Sequence, residues 1–469
     1  MIVKHPREYV VDKLQYALNP KTIAVVGASR YSTKVGYKVV DGLLTWGYKG
    51  KIYPVNPRAD KVAGFTAYKT VKDIPDEIDL AFLAVPAHIV KSILEDCVEK
   101  KVKIVVIATS AFKEIGRGTL QDELTQYCRD HELPLIGPNL VGMGSPYLNF
   151  NCGFIPYLPI KGPVAMISQS GANLLAALGT SQKDHFGMSF FVGLGNKADV
   201  DFCEFISYAG RDENSKCLAI YIEGLDSPDA FIEACRSVDK PIVTIKVGGS
   251  KISEKAAFAH TASENKGTND AFYDDIFEKA GAIRATTWQE FLDISMALGM
   301  QPAPKGDNIV MITNGGGSGL LSCDHFERRG MPMHELAEIS PNLAGRIRAY
   351  MPMFGSPLNP VDISGTASPV QYKGAFTQVM RDPNVHGILG SICPTAVTDV
   401  PAVTNLVIDI YETYKHLGKP FIMECQGGEE CQEAIMKLRD HGIPAYPTAE
   451  QAVNAMVALY KYGQIKNKK

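Results

Sequence analysis

Paired cysteines are missing from this chain of 469 residues: its ten cysteines, among them Cys217, Cys235 and Cys393, stand singly in apolar stretches without a CxxC. That spacing argues against a zinc site and a disulfide framework, and it favours a reducing compartment. Long apolar runs are missing too. The stretch Ile78–Val90 is too short and too interrupted to span a bilayer, and the opening MIVKHPREYV has no apolar core of a secretory signal. Excess charge of one sign is also lacking: a formal charge of -3 offers no basic stripe for nucleic acid, and the Lys-rich end Lys466–Lys469 reads as a solvated terminus. The expectation is a cytoplasmic protein with no metal site, no membrane and no nucleic-acid partner. Neither GxGxxG nor GxxxxGK[ST] occurs, so the plain dinucleotide fingerprint and the Walker loop are both excluded.

What is present is a repeating alternation of short β-branched runs, small-residue turns and helically spaced segments, the mark of layered parallel α/β structure. Strands are expected at Thr22–Val26, Lys51–Val55, Leu80–Val85, Lys103–Thr109 and Leu133–Ile136. A second block follows at Pro163–Ile167, Met188–Val192, Cys217–Ile222, Pro241–Val247 and Ala282–Ala285. A third runs Asn308–Thr313, Gly387–Ile392, Pro420–Glu424 and Ile443–Tyr446. Pro146–Pro163, with four prolines, reads as a connector, and Gln301–Asp307 as a second linker. At roughly 150 residues per domain the length calls for about three domains, placed at 1–148, 160–300 and 307–469.

Three clusters carry chemistry. Val25-Val26-Gly27-Ala28-Ser29 ends a strand, and a helix begins near Lys34-Val35-Gly36, which puts backbone N–H groups beside a ligand phosphate. The next strand ends in Asn56-Pro57-Arg58 without the carboxylate that binds a free ribose 2′-hydroxyl, so the ligand carries an extra ribose phosphate: NADP or coenzyme A. Other strand ends bring Val85-Pro86, Thr109-Ser110 and Gly137-Pro138-Asn139 to the same crevice. Second, Ser168-Gln169-Ser170-Gly171-Ala172 between a strand and a helix forms an anion-binding turn. Third, His260, in Ala259-His260-Thr261-Ala262-Ser263, lies between two polar loops, and Glu223 ends a buried strand. Pairing of Glu223 with one imidazole nitrogen would leave the other as a nucleophile. A packed histidine and a solvent-facing carboxylate remain open as readings of these two residues.

Ten motifs in order, VGAS…KVG, YPVNP, AVPA, IGPN, SQSGA, GLGNKADVD, YIEG, AHTAS, TNGGGSG and NPVDISG, make the chain resemble the α subunit of ADP-forming acetyl-CoA synthetases. More distantly it resembles the α subunit of succinyl-CoA synthetase. The resemblance implies a Rossmann-like CoA-binding domain followed by two flavodoxin-like domains. It implies CoA held by Gly27, Ala28, Ser29, Lys34, Gly36, Asn56, Pro57, Val85, Pro86 and Asn139. Phosphate would lie at Ser168, Ser170, Gly171 and Ala172, with His260 phosphorylated and Glu223 orienting it. Acyl-CoA, phosphate and ADP or GDP would interconvert with a small carboxylic acid, CoA and ATP or GTP through an acyl phosphate. The nucleotide and Mg²⁺ would sit on an ATP-grasp β subunit in an α2β2 assembly. Ala262 follows the His-Thr pair where relatives commonly have glycine, a departure that bears on the acyl substrate. The rival readings are an NADP-dependent oxidoreductase and a non-catalytic CoA sensor or scaffold.

Overall fold

A computed structural model describes residues 6–250, 252 and 270–468. The chain forms two compact units, Met1–Thr286 and Thr287–Lys469. The first contains two sheets. Strands β1 (Thr22–Val26), β2 (Lys51–Val55), β5 (Leu80–Leu83), β6 (Ile104–Ile107) and β7 (Leu135–Ile136) form one, with β3 (Lys61–Val62) and β4 (Phe65–Thr66) a small separate hairpin. Its order is β2-β1-β5-β6-β7 and every pairing is parallel. Apolar side chains on both faces of β5 and β6 are buried, which is why these strands read as unbroken apolar runs.

The second sheet uses β8 (Gly142–Ser145), β9 (Phe150–Gly153), β10 (Lys161–Ser168), β11 (Met188–Gly193), β12 (Cys217–Ile222), β13 (Ile242–Lys246) and β14 (Ile283–Ala285), ordered β14-β13-β12-β10-β11-β8-β9. Here the connector expectation needs correction. Residues 146–163 contain β9, and β8 and β9 form an antiparallel hairpin on the edge of this sheet. Glycine hid it: a Cβ on Gly153 would meet the Val141 carbonyl oxygen at 2.3 Å and the Gly142 Cα at 2.7 Å, so the close approach requires residues with low strand preference. The helix Val35–Thr45 packs on β9, and one core cluster runs from Val25 and Phe82 through Met143 and Phe150 to Ile167. The two sheets therefore share a core.

A buried ion network reinforces that union. Arg7, just before the helix Glu8–Lys13, reaches Asp199 at 2.6 Å and Glu204 at 3.2 Å, and Arg129 reaches the same Asp199 at 2.8 Å. The other Asp199 oxygen accepts the Leu135 N–H of β7 at 3.1 Å. Asp199 and Glu204 are both buried, so these charges need their partners.

In the second unit β15 (Ile309–Thr313), β16 (Val361–Asp362), β17 (Gly387–Ile392), β18 (Phe421–Cys425) and β19 (Ala445–Tyr446) make a parallel sheet ordered β16-β15-β17-β18-β19. The helices Trp288–Met300 and Gly316–Arg328 pack on the last helix, Ala449–Lys468. Among the described residues no helix is long and apolar enough to cross a membrane.

Candidate functional site

The turn after β1 is built by contacts that only glycine permits. Gly27 has φ +87°, and a Cβ there would meet the Ala84 carbonyl oxygen at 2.3 Å. A Cβ on Gly36 would lie 2.0 Å from the Gly27 oxygen, so the helix Val35–Thr45 starts directly against the turn. Asn56 ties β2 into it: its Nδ2 donates to the Ala28 carbonyl at 2.6 Å, and its Oδ1 accepts the Arg58 N–H at 2.8 Å.

A cleft of about 560 Å³ lies at the carboxyl ends of both sheets of this unit. From the first sheet it takes Val85 and Pro86 after β5, Thr109 and Ser110 after β6, and Asn139 after β7. From the second it takes Gln169, Ser170, Gly171 and Ala172 after β10, and Glu223 after β12. The chain leaves β10 for β11 on one side and returns through β12 to β14 on the other. The β10/β12 boundary is thus a topological switch point, where open α/β sheets leave a crevice for ligands.

Ser170 caps the helix Gly171–Asp184, its Oγ accepting the Asn173 N–H at 3.3 Å. The first-turn N–H groups have no intrahelical acceptor, and with the helix dipole they favour an anion. Gln169 joins the two strand ends: its Oε1 accepts from the N–H groups of Glu223 at 3.0 Å and Gly224 at 3.1 Å. Burial, with the nearby Glu223 carboxylate, pushes the Tyr221 hydroxyl up to about 12, and its oxygen accepts from Asn173 Nδ2 at 2.9 Å. Beside Glu223, Lys246 ends β13 and sets its ammonium 4.6 Å from the centre of the Tyr273 ring. Burial, aided by Arg284, pulls that ammonium down to about 8 against Asp270 and Glu223.

Comparison with known proteins decides the family. A CoA binding domain matches residues 21–145, a succinyl-CoA ligase like flavodoxin domain residues 161–298, and a Ligase-CoA domain residues 309–468. The chain is 38% identical over 97% of its length to the α subunit of acetate–CoA ligase [ADP-forming] I from Pyrococcus furiosus, covering 99% of that protein. It is 36% identical, over 97% of its length and 98% of the relative, to the corresponding II subunit of the same organism. The solved acetyl-coenzyme A synthetase 1 of Ca. Korarchaeum cryptofilum, in complex with phosphate and ADP, superposes with a TM-score of 0.92 at 35% identity, covering 97% of each chain. This chain belongs to the family of ADP-forming acetate–CoA ligase α subunits. The fold is the one the motifs implied, CoA-binding domain first and flavodoxin-like domains after it.

Within this family member, the expected site residues fall into four groups. Val85, Pro86, Asn139, Ser170, Gly171, Ala172 and Glu223 share the cleft. Gly27, Ala28, Ser29, Lys34, Gly36, Asn56 and Pro57 are outside its wall, on the neighbouring β1–β2 end of the first sheet. Ser168 is 1% exposed and spends its hydroxyl on the Ser170 carbonyl at 2.8 Å, shaping the turn from beneath. His260 lies outside the described residues.

Sequence reading overlooked Gln169 as the bridge to Glu223, Lys246 beside it, and Asn196 with Glu114. Asn196 is on the cleft wall; its Nδ2 donates to Glu114 Oε2 at 2.7 Å and to Gln121 Oε1 at 2.9 Å. Burial alone would raise the Glu114 carboxyl, but hydrogen bonds from Asn196 and from backbone N–H groups hold it below the usual carboxylate range. The signal was there in GLGNKADVD, recognised as a motif but given no task. Among the described residues no group of three or more His, Cys, Asp or Glu is placed to hold a metal ion.

Proposed function

We propose that this chain is the CoA-binding, phosphohistidine-bearing subunit of an ADP-forming acyl-CoA synthetase, and that its nucleotide site lies on a separate ATP-grasp β subunit. One observation carries the reading: a single cleft joins strand-end residues of the CoA-binding domain to a helix N-terminus and Glu223 of the succinyl-CoA ligase like domain. A CoA thioester and an anion would then meet without crossing bulk solvent.

In this reading the Gly27–Gly36 turn and Asn56-Pro57 take the nucleotide end of CoA, and Val85, Pro86 and Asn139 guide the arm toward the second domain. Phosphate sits at the N–H groups of Gly171 and Ala172 and the Ser170 hydroxyl, and attacks the acyl carbon as CoA leaves as its thiol. His260 then takes the phosphoryl group from the acyl phosphate and the free acid departs. Glu223 holds the imidazole so that one nitrogen faces the phosphorus. Phosphoryl transfer asks chiefly for positioning and charge stabilisation, which helix dipoles and fixed N–H groups provide. The phosphoryl group passes finally to ADP or GDP, with Mg²⁺, on the β subunit of an α2β2 assembly.

Three relatives support a separate partner. The Pyrococcus furiosus relatives bear the name subunit alpha, while this chain spans only 64% of the longer Methanocaldococcus jannaschii acetate–CoA ligase. Mixing the chain with an ATP-grasp β subunit, acetyl-CoA, ADP and phosphate tests the reading. ATP and free CoA should form only when both chains and phosphate are present, and Glu223→Ala should slow formation by about 10²-fold. Formation of ATP without phosphate, or none with both chains, would refute it. NADPH should bind without saturation; a saturable fluorescence change would favour the oxidoreductase instead.

A further inference from the structure

A chain of three side chains runs from behind the cleft into its wall, Glu114 to Asn196 to Asn139, and its hydrogen bonds fix one another's direction. Glu114 is the anchor, because an ionised carboxylate only accepts. Both of its oxygens are in use: Oε1 accepts the N–H groups of Ala111 and Phe112, and Oε2 accepts from Asn196 Nδ2 at 2.7 Å. Gln121 Oε1 takes the second amide hydrogen of Asn196 at 2.9 Å. With both hydrogens committed, Asn196 must turn its Oδ1 the other way, where it accepts from Asn139 Nδ2 at 3.2 Å. An amide's direction is assigned from its partners, and here a group that cannot donate begins the chain. The carbonyl end of Asn139 is thereby the end left for the cleft that Asn139 lines.

The backbones are locked to match. Asn196 N–H donates to the Pro138 carbonyl and Asn139 N–H to the Thr109 carbonyl, each at 2.9 Å, and a Cβ on Gly195 would meet the Pro138 oxygen at 2.2 Å. The two asparagines come from different sheets and cannot slide past each other.

We infer that Glu114 is a positioning residue which, through Asn196, presents the Asn139 side-chain carbonyl as a hydrogen-bond acceptor to an amide N–H of the pantetheine arm of CoA. This rests on the CoA reading above. The walls suit such an arm: Val85, Val141 and Phe154 offer apolar surface along which an amide would otherwise lack a partner. Glutamine cannot replace Glu114, since one end of its amide would face a donor: either the Ala111 and Phe112 N–H groups or Asn196.

Calorimetric titration of the full chain with CoA and with adenosine 3′,5′-bisphosphate, which lacks the arm, tests this. Glu114→Gln should weaken CoA by about tenfold, the upper end of the effect of one lost neutral hydrogen bond, and leave the bisphosphate unchanged. Asn196→Asp should weaken CoA at least as much, by setting two carboxylates together. Combining Glu114→Gln with Asn196→Asp restores a donor facing an acceptor, with Asn139 still donating, and should return CoA affinity to within about twofold of wild type. Parallel weakening of both ligands, or no recovery in the double variant, would reduce Glu114 to a structural staple and overturn the inference. Unchanged CoA binding in Glu114→Gln would overturn it while sparing the CoA reading. A wild-type chain that binds the bisphosphate but not CoA would overturn both.

Discussion

Glu223 and Lys246 stand at the ends of neighbouring strands, with Ile222 in register with Lys246, so the carboxylate acts on the ammonium through its charge at the carboxyl edge of the second sheet. The ammonium is partly withdrawn from water over the Tyr273 ring, and its folded pKa of about 8 lies below the ordinary 10.5. The unfolded chain therefore binds more protons between these two values, and folding stability rises with pH across that window. Lys246→Met lacks this group. Thermal unfolding followed from pH 7 to 10.5 should show wild type gaining on the variant from about pH 8 upward; parallel curves would place the ammonium in ordinary solvent.

At the scale of elements, the helix Gly171–Asp184 combines stability and chemistry in one turn. Ser170 caps it and also faces the cleft. Ser170→Ala should cost about 1 kcal/mol in urea unfolding, the ordinary effect of a lost N-cap, and should also weaken phosphate binding. The same substitution at Ser168 should leave phosphate binding near wild type, because that hydroxyl is turned onto the Ser170 carbonyl. Elements of this kind were legible in the sequence: β1, β2 and β12 have the bounds their apolar runs implied. Strands such as β5 and β6 end two residues early, because Val85 and Thr109 turn into the cleft and bond to each other through the Thr109 hydroxyl. The hairpin of β8 and β9 was illegible, since its glycines and flanking prolines carry no alternation to read. Nor could spacing show Gln169 reaching Glu223, or Glu114 reaching Asn196 82 positions away. The first pairing needs β10 and β12 side by side, and the second needs the two sheets packed together.

The first unit works as a whole because its two sheets are fused through a common core and the buried Arg7–Asp199–Arg129 network. Asp199→Ala would take the carboxylate from two guanidiniums and the Leu135 N–H, leaving Arg7 with Glu204 and the main-chain carbonyl of residue 199. Denaturant unfolding should show a loss of about 3 kcal/mol. CoA affinity should fall with it, since the cleft is assembled from both sheets. An unchanged midpoint would mean the sheets are held by apolar packing alone. The second unit, Thr287–Lys469, has its own core around Tyr372, Phe376 and Phe421. It also has its own strand-end turn, where the side chain of Asn314 bonds both ways to the Cys393 backbone at 2.7 and 2.8 Å.

The most direct measurement is phosphosite mapping after incubation of the chain with an ATP-grasp β subunit and γ-labelled ATP. Acid-labile label should appear on His260 alone, should be chased when CoA and acetate are added together, and should fail to appear without the β subunit. Label on serine or threonine, or a wild-type histidine that stays unlabelled while the pair makes acetyl-CoA, would contradict the assignment.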